Sequence, residues 1–337
     1  MRLVSLRDFA TYPDGEIGLR QLIRNPKISL YCLDSDASHA IFVNGPGAEE
    51  LSAAPFCYLT QYRRSQYLYK VPIPIARQWA EEVGDWWERL ILVFSVGRCG
   101  STLLSRMLNH VPDCLSLSEP DVFTQLLDWP WRDEEAVPLL RSITRLLCWP
   151  ALKRQPSGFA IKFRSMGIET ADWMRQAFPQ AKMLFLYRNA EDFVTSAMRA
   201  FCYFPSPIWA YDHFCRSLGL RDVFAYFFDR NFGRLSRHAP LLRQYSPSEL
   251  VRMGPVAYLT LSWLSGMERY LQLNSANQSM LAVRFEDLRA QPEQVFKAIF
   301  HYCDFAADGE KLALRALRKD AQKGTIMARN CCRNTAR

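Results

Sequence analysis

The sequence predicts an α/β fold of three layers, in which helices cover both faces of a central parallel sheet and a small mixed extension precedes it. From residue 90 onward, short apolar segments recur with amphipathic stretches between them: LILVFSV, FAIKF, KMLFLYR and LAVRF. Strands buried on both faces have such continuous apolar runs, and intervening helices favour parallel connections. With 49% hydrophobic and 23% charged residues, the 337-residue chain is long and apolar enough for a large core.

The region before the first of these strands has a different pattern. Residues 1–86 alternate β-like runs, ISLYCL, HAIFV and QYLYKVPI, with turn signals such as NGPG. We expect a mixed α/β extension there, whose role the sequence does not define. The main domain is expected to span residues 87–310, and its aromatic-rich section, 201–250, to be helical with most rings in the core. The tail, 311–337, is basic; it is either a solvated end or a flap over an anionic ligand.

Composition and charge exclude some classes of function. The net charge of +8 would attract anions, but the chain lacks a recognition helix or aromatic-basic strand motif, so nucleic-acid binding is not expected. Apolar runs are far shorter than the roughly 20 residues of a membrane span, and the amino terminus lacks the apolar core of a secretory signal, so we expect a cytoplasmic protein. The ten cysteines form no C-x-x-C pair, which predicts small core residues rather than a zinc or dithiol site.

The stretch LILVFSVGRCGSTLLSRMLNH predicts a strand that runs into a glycine loop and a helix packed on the sheet. On the nucleotide-triphosphate template G-x-x-x-x-G-K-[ST], Ser95 replaces the first glycine and Ser101 the lysine, whereas Gly100 and Thr102 match. Gly97 and Gly100 permit a tight turn, and the helix amides can hold one compact anion with Arg98 as the positive charge. Such a loop suits a 5′-phosphate bonded to a sulfuryl group, without magnesium; the alternative is an ordinary glycine turn.

The segment GRCGSTLL resembles the phosphosulfate-binding loop of the sulfotransferase family, whose donor is 3′-phosphoadenosine 5′-phosphosulfate. The resemblance implies that the loop residues cradle the 5′-phosphosulfate: Arg98, Cys99, Gly100, Ser101 and Thr102. Members also carry a strand-end arginine and, eight positions on, a serine that hold the donor's 3′-phosphate. In LFLYRNAEDFVTSAM, Arg188 and Ser196 have this spacing. An arginine fork can bind a phosphate at two oxygens, and a hydroxyl two helical turns further can reach the same anion.

Glu119, in DCLSLSEPDVF, is the candidate for the base that accepts a proton from the acceptor. A short strand would bring it back toward the loop, and Pro120 favours an extended or turn conformation at Glu119. The SEP segment is similar to the arrangement in tyrosylprotein and small bacterial carbohydrate-type sulfotransferases, which implies a glutamate base. The small-molecule branch uses a histidine, and none lies between Glu119 and Arg188. A helix-start carboxylate is the alternative interpretation.

Lys162 lies within the apolar segment FAIKFRS, where an ammonium group is costly unless it reaches an anion. The resemblance implies that Lys162 and Arg98 stabilise the leaving oxygen; a snorkelling structural lysine is the alternative. Arg164 is a weaker candidate for the same face. The segment LAVRFEDLRAQPEQVF is also similar to the family. In it, Glu286 and Asp287 are expected to cap and orient the proline-started helix that follows. In the tail, Lys323 and Gly324 match a family element over the 3′-phosphate only weakly.

Together these features predict a sulfotransferase that acts on an acceptor hydroxyl of a carbohydrate, lipid, peptide or small molecule, with no metal required. Two other functions stay open. One is a P-loop kinase acting on a small molecule, for which Arg98 replaces the lysine and magnesium-dependent ATP binding is expected. The other is a catalytically silent nucleotide-binding adaptor, in which Glu119 matters only for stability. The acceptor and the oligomeric state are not defined by the sequence.

Overall fold

The computed structural model describes residues 4–6, 9, 14–147, 156–201, 217–218, 237–276 and 280–305. Most of the aromatic-rich section and the whole tail from residue 306, including Lys323 and Gly324, lie outside these residues. The expected helices of the former and the expected flap of the latter are therefore not described. In the described part of the chain, no helix is both long and apolar enough to cross a membrane.

The extension contains a four-stranded sheet with helices beside it. Its strands are β1 (Asp14–Gly15), β2 (Ile28–Leu33), β3 (His39–Asn44) and β4 (Tyr67–Pro72), in the order β1-β4-β3-β2. The β2-β3 and β3-β4 pairs are antiparallel. A short connection joins β2 to β3, whereas helices α2 and α3 lie between β3 and β4. The helices are α1 (Leu19–Arg24), α2 (Ala48–Ala53), α3 (Cys57–Arg64) and α4 (Ile73–Val83).

The central sheet has five strands, and every pair of neighbours in it is parallel. The strands are β5 (Arg89–Ser95), β6 (Cys114–Ser118), β7 (Gly158–Lys162), β8 (Lys182–Tyr187) and β9 (Leu281–Arg284), in the order β6-β7-β5-β8-β9. All residues of β6 and β7, and those of β5 from Leu90 onward, are buried. Burial on both faces explains their continuous apolar sequences. The predicted α/β fold with a central parallel sheet is thus confirmed.

Helices follow the strands of the central sheet. They are α5 (Ser101–Leu108), α6 (Val122–Gln125), α7 (Asp133–Leu146), α8 (Ala171–Ala177), α9 (Ala190–Phe201), α10 (Pro247–Ser275), α11 (Phe285–Ala290) and α12 (Pro292–Tyr302). Short 3₁₀ turns cover Leu126–Asp128, Ser165–Thr170 and Leu242–Gln244. Helix α10 is interrupted at Gly254, where a φ of 81° precedes Pro255; a proline there removes a helical hydrogen bond.

One apolar core joins the extension to the central sheet. Buried Leu30 and Phe42 of the extension belong to the same cluster as Ile91 and Phe159 of the central strands. Five of the ten cysteines are described, and all five are buried, as predicted for small core residues: Cys32, Cys57, Cys99, Cys114 and Cys303. The extension therefore shares one hydrophobic core with the central sheet.

Candidate active site

The candidate site residues follow the carboxyl ends of four neighbouring parallel strands. Register pairs Lys162 with Ser118 on one side and with Val93 on the other, so β6, β7 and β5 end at nearly the same level. Glu119 follows β6, the glycine loop follows β5, and Arg188 follows β8. Side chains beyond the carboxyl ends of such strands meet at one edge, where α/β folds bind ligands. Residues scattered over about 100 positions are thus brought to a single edge.

The loop between β5 and α5 is a tight turn with three residues in the left-handed region. The φ angles are 85° at Gly97, 53° at Arg98 and 80° at Gly100. Glycine adopts this conformation readily, whereas a side-chain-bearing residue such as Arg98 pays for it in strain. The Ser95 hydroxyl accepts a hydrogen bond from the Gly97 amide at 3.4 Å and donates one to the Ser101 hydroxyl at 3.3 Å. Ser95, where the triphosphate template has glycine, therefore holds the turn together.

The amino end of α5 lies at the glycine loop. Its N-cap residue, Gly100, has no side chain that could cap the helix, and the positive end of the helix dipole points to the loop. A Cβ atom at Gly100 would lie 2.9 Å from two ring carbons of Phe285. Glycine is thus required at this position by both its backbone angle and its neighbour.

Cys99 points away from the loop surface. Its thiol donates to the carbonyl oxygen of Leu186 in β8, with the sulfur 3.4 Å from that oxygen. Burial raises the pKa of the Cys99 thiol, and the nearby Lys162 ammonium opposes this in part. The fully buried side chain of Cys99 is therefore directed into the core rather than toward a ligand in the loop.

Arg98 contacts both Ser196 and Arg188. Arg98 Nε donates to Ser196 Oγ at 3.1 Å, and Arg188 Nη1 donates to the Arg98 carbonyl oxygen at 3.2 Å. The Arg188 guanidinium lies 4.8 Å from the ring centroid of Phe285 and 3.6 Å from the Asp192 carboxylate. Its buried Nε has no hydrogen-bond partner among the described residues. The two arginines and the Ser196 hydroxyl therefore lie together between the loop and α9. The Nε–H group of Arg188 is available there to a ligand.

The expected caps of the proline-started helix, α12, are wrong. The N-cap of that helix is Gln291, which makes no side-chain cap bond, whereas Glu286 and Asp287 lie in the first turn of the preceding helix, α11. Glu286 Oε1 instead accepts hydrogen bonds from the backbone amide and side-chain amide of Asn189, both at 3.2 Å. Asn189 immediately precedes α9, so this carboxylate orients the helix that carries Ser196. Phe285 was not singled out by any sequence pattern, yet it is the neighbour shared by Gly100 and Arg188.

Glu119 and Lys162 form a buried ion pair at the end of β6 and β7. Lys162 Nζ donates to Glu119 Oε1, and the Glu119 amide donates to the Lys162 carbonyl oxygen at 2.7 Å. The side chains are 11% and 5% exposed, respectively. Glu119 has a φ of 58°, a conformation that costs a residue with a side chain about 1–3 kcal/mol and that concentrates at functional sites. The lysine in the apolar strand thus has an anionic partner inside the protein.

A second ion pair lies beside the first. Arg164 Nη1 donates to Asp121 Oδ1 at 2.7 Å, whereas Arg164 Nε lies 3.7 Å from Glu119 Oε2. Tyr58, from α3 of the extension, accepts from Arg164 Nη2 at 3.3 Å, and its ring centroid lies 4.6 Å from the guanidinium carbon. The amide of Val4 donates to Asp121 Oδ2 at 2.9 Å. Neither Tyr58 nor Asp121 was predicted from the sequence, because no local pattern relates either residue to Arg164.

Burial and neighbouring charges shift the pKa values of Arg164, Asp121 and Tyr58. Burial alone would lower the pKa of Arg164, but its neighbours Asp121, Tyr58 and Glu119 together outweigh burial, and the pKa is raised. Burial raises the pKa of the Asp121 carboxyl, which the Arg164 charge offsets in part. Burial also raises the pKa of Tyr58 to about 12. At neutral pH, Arg164 is therefore a cation and Tyr58 a neutral phenol.

The raised pKa of Tyr58 predicts a loss of stability in alkali. The folded protein keeps the phenol proton up to about pH 12, whereas an unfolded tyrosine loses it near about pH 10. The free energy of unfolding should therefore fall between these values, by up to about 1.4 kcal/mol per pH unit from this group. Denaturant unfolding from about pH 9 to about pH 11 should show the wild type losing its advantage over Tyr58→Phe.

The matched control is Tyr62→Phe on the same helix, because Tyr62 is 42% exposed and should leave the pH dependence of the wild type unchanged. A difference between wild type and Tyr58→Phe that stays constant with pH would contradict the expected titration.

The described residues contain no group of three or more His, Cys, Asp or Glu side chains placed to hold a metal ion. What the edge does offer is an anion cradle, two arginines and a hydroxyl beside it, and a carboxylate paired with an ammonium. Such a set can bind a phosphorylated ligand, accept a proton and stabilise a leaving oxygen.

Comparison with known proteins agrees with this description. The family model described as "Sulfotransferase domain" matches residues 88–330. Among solved structures, the chain is similar to sulfotransferase STF9 from Mycobacterium avium, with 12% identity, a TM-score of 0.40, and coverage of 80% of this chain and 74% of that one. It is also similar to sulfotransferase STF1 from Mycobacterium tuberculosis H37Rv, with 12% identity, a TM-score of 0.41, and coverage of 72% and 76%. A sulfotransferase from Alicyclobacillus acidocaldarius has 18% identity, a TM-score of 0.34, and coverage of 66% and 82%. No curated protein matches the chain significantly.

Proposed function

The chain belongs to the sulfotransferase family, and on that premise we propose that it transfers a sulfuryl group from 3′-phosphoadenosine 5′-phosphosulfate to an acceptor hydroxyl. The observation that carries the proposal is the buried Glu119–Lys162 pair at the sheet edge that also carries the glycine loop. A carboxylate and an ammonium are the base and the electrostatic stabiliser that this transfer needs. The triphosphate lysine, by contrast, is absent from the loop.

In this proposal the donor is held at two points. The amides of Gly100, Ser101 and Thr102 at the start of α5 hold the 5′-phosphosulfate, and the glycine at the N-cap of that helix leaves room for the anion. Arg188 and Ser196 hold the 3′-phosphate. The uncommitted Nε of Arg188 supports this assignment, since a phosphate oxygen would give that buried donor a partner.

The transfer follows from the positions of the charged side chains. Glu119 takes the proton of the acceptor hydroxyl, whose oxygen forms a bond to sulfur. The bond between sulfur and the bridging oxygen breaks, and its electron pair stays on that oxygen, which becomes a phosphate oxygen of adenosine 3′,5′-bisphosphate. Lys162 and Arg98 stabilise this charge. Lys162 exchanges its contact with Glu119 for the bridging oxygen, which leaves the carboxylate free to accept the proton.

The proposed acceptor is a hydroxyl-bearing carbohydrate, lipid, peptide or small molecule. Residues 202–216 and 219–236, whose aromatic side chains are candidates for an acceptor pocket, lie outside the described residues. We keep residues 87–310 as the proposed catalytic domain and 1–86 as the extension.

Removal of the Arg188 guanidinium is expected to weaken binding of adenosine 3′,5′-bisphosphate about 30-fold, as for the loss of about 2 kcal/mol of charge-assisted hydrogen bonds. Calorimetry without magnesium should give micromolar affinity for the wild type and a strongly reduced one for Arg188→Ala. Arg199→Ala is the matched control, because Arg199 is an exposed arginine near the other end of α9 and should bind like the wild type.

Two outcomes would redirect the proposal. Binding of ATP that requires magnesium and exceeds binding of adenosine 3′,5′-bisphosphate would favour the kinase. Tight binding of adenosine 3′,5′-bisphosphate without any cleavage of ³⁵S-labelled donor would favour the silent adaptor.

A further inference from the structure

Arg164 forms a hydrogen bond with Asp121 but none with the Glu119 carboxylate beside it. Its Nη1 is 2.7 Å from Asp121, whereas its Nε is 3.7 Å from Glu119, a distance too long for a hydrogen bond. The Tyr58 ring covers one face of the guanidinium, and the Tyr58 hydroxyl accepts from Nη2. Arg164 is 4% exposed, so water does little to weaken these attractions. Two partners therefore fix the position of this cation.

The position of Arg164 affects how well the Glu119 carboxylate can accept a proton. Glu119 already has one cationic partner, Lys162. If Arg164 also bonded Glu119 directly, both carboxylate oxygens would be occupied by cations, and the carboxylate would be a poor proton acceptor. The pair with Asp121 and the aromatic cover of Tyr58 oppose this, because a cation over a ring and a carboxylate in direct contact are each favourable in a buried site.

The extension is anchored next to this cluster by several polar contacts. Ser118 Oγ donates to the Pro55 carbonyl oxygen at 2.7 Å, and the Val4 amide donates to Asp121. Gln125, on α6 just beyond Asp121, exchanges hydrogen bonds with the backbone of Leu33 at 2.7 and 2.8 Å. The backbone that carries Tyr58 is thus fixed against the end of β6, which carries Glu119.

We propose that Tyr58 is a positioning residue for the Glu119 base, which acts by holding Arg164 against Asp121 and thereby keeping one carboxylate oxygen free for the acceptor proton. This inference rests on the proposed function. It assigns a role to the extension: residues 1–86 complete the active site rather than merely covering the sheet.

The test uses variants of the full-length chain and ³⁵S-labelled donor with water as the acceptor, because the natural acceptor is unidentified. In this reaction a water oxygen bonds to sulfur, the bond to the bridging oxygen breaks, and Glu119 takes a water proton; the products are sulfate and adenosine 3′,5′-bisphosphate. Tyr58→Leu removes both ring and hydroxyl, whereas Tyr58→Phe keeps the ring. The matched control is Tyr62→Leu, on the same helix but exposed.

We expect Tyr58→Leu to lower kcat about tenfold with the KM for the donor changed less than about twofold, which separates a role in the chemical step from one in binding. Tyr58→Phe should retain at least about one third of kcat, and Tyr62→Leu should match the wild type. In a Glu119→Gln background, Tyr58→Leu should have no further effect, because a residue that acts through the base loses its influence when the base is absent.

Three results would overturn the inference. An unchanged kcat in folded Tyr58→Leu, or an equal loss in the wild-type and Glu119→Gln backgrounds, would show that Tyr58 does not act through Glu119 while the proposed function stands. A loss confined to KM would place Tyr58 in donor binding instead. A wild type that neither binds adenosine 3′,5′-bisphosphate nor cleaves the donor would overturn both the inference and the proposed function.

Discussion

Replacement of Glu119 by glutamine is expected to lower the rate of sulfuryl transfer by about 10²–10⁴-fold, the range that general-base catalysis contributes. Glutamine has nearly the same shape, and its carbonyl oxygen can still accept the hydrogen bond from Lys162. It has no basic group, however, so the acceptor proton would have to leave without assistance. Turnover of ³⁵S-labelled donor measures the loss, and calorimetry should show affinity for adenosine 3′,5′-bisphosphate within about threefold of the wild type.

Glu286→Gln is the matched control for this prediction. Glu286 is also a carboxylate at the carboxyl edge of the sheet, but it bonds to Asn189 at the start of α9, an interaction that glutamine can keep in part. Its effect on turnover should stay within about threefold. If Glu119→Gln kept most of the wild-type rate, Glu119 would be a structural partner of Lys162, and the base would have to be sought elsewhere.

The elements that could be predicted from the sequence are those whose signal is local. Strands β5, β7 and β8 were visible because strands buried on both faces require unbroken apolar runs, and β6 was expected from the short segment before Glu119. Strand β9 has a similar apolar run, although it lies at the sheet edge and only its Val283 is buried. The rule that parallel strands end at one edge then placed Glu119, Lys162 and the loop together. The same rule could not supply the conformation of Glu119, whose positive φ depends on its surroundings.

The parts that could not be predicted are contacts between distant segments. Tyr58 approaches Arg164 only because the extension packs against the end of β6, whereas Asp121 approaches it because the two residues follow the paired strands β6 and β7. Neither Tyr58 nor Asp121 stands out in composition or periodicity. Phe285 is likewise an ordinary apolar residue in sequence, although its ring contacts Arg188 and limits Gly100. Glu286 was assigned to the wrong helix, because a carboxylate in the first turn of one helix can also bond to the start of a neighbouring helix.

Substitution of Gly100 by alanine is expected to weaken binding of adenosine 3′,5′-bisphosphate more than about 100-fold, a larger loss than for Arg188→Ala, because it disturbs both donor contacts at once. An alanine at a φ of 80° is strained by about 1 kcal/mol. Its Cβ would also lie 2.9 Å from the Phe285 ring. To relieve this contact the ring must move, and the ring packs on the Arg188 guanidinium at 4.8 Å. The loop amides and the proposed 3′-phosphate contact would then shift together.

Gly84→Ala separates this effect from backbone strain alone. Gly84 also has a positive φ, 66°, but a Cβ atom there would meet nothing within 4 Å. Gly84→Ala should therefore lower the melting temperature without changing affinity, whereas Gly100→Ala should change both. Adding Phe285→Leu to Gly100→Ala should restore part of the binding, because a smaller side chain leaves room for the new methyl group. Equal affinities in Gly100→Ala and Gly84→Ala would contradict the proposed cradle, because a loop that grips phosphate through its amides cannot tolerate that displacement.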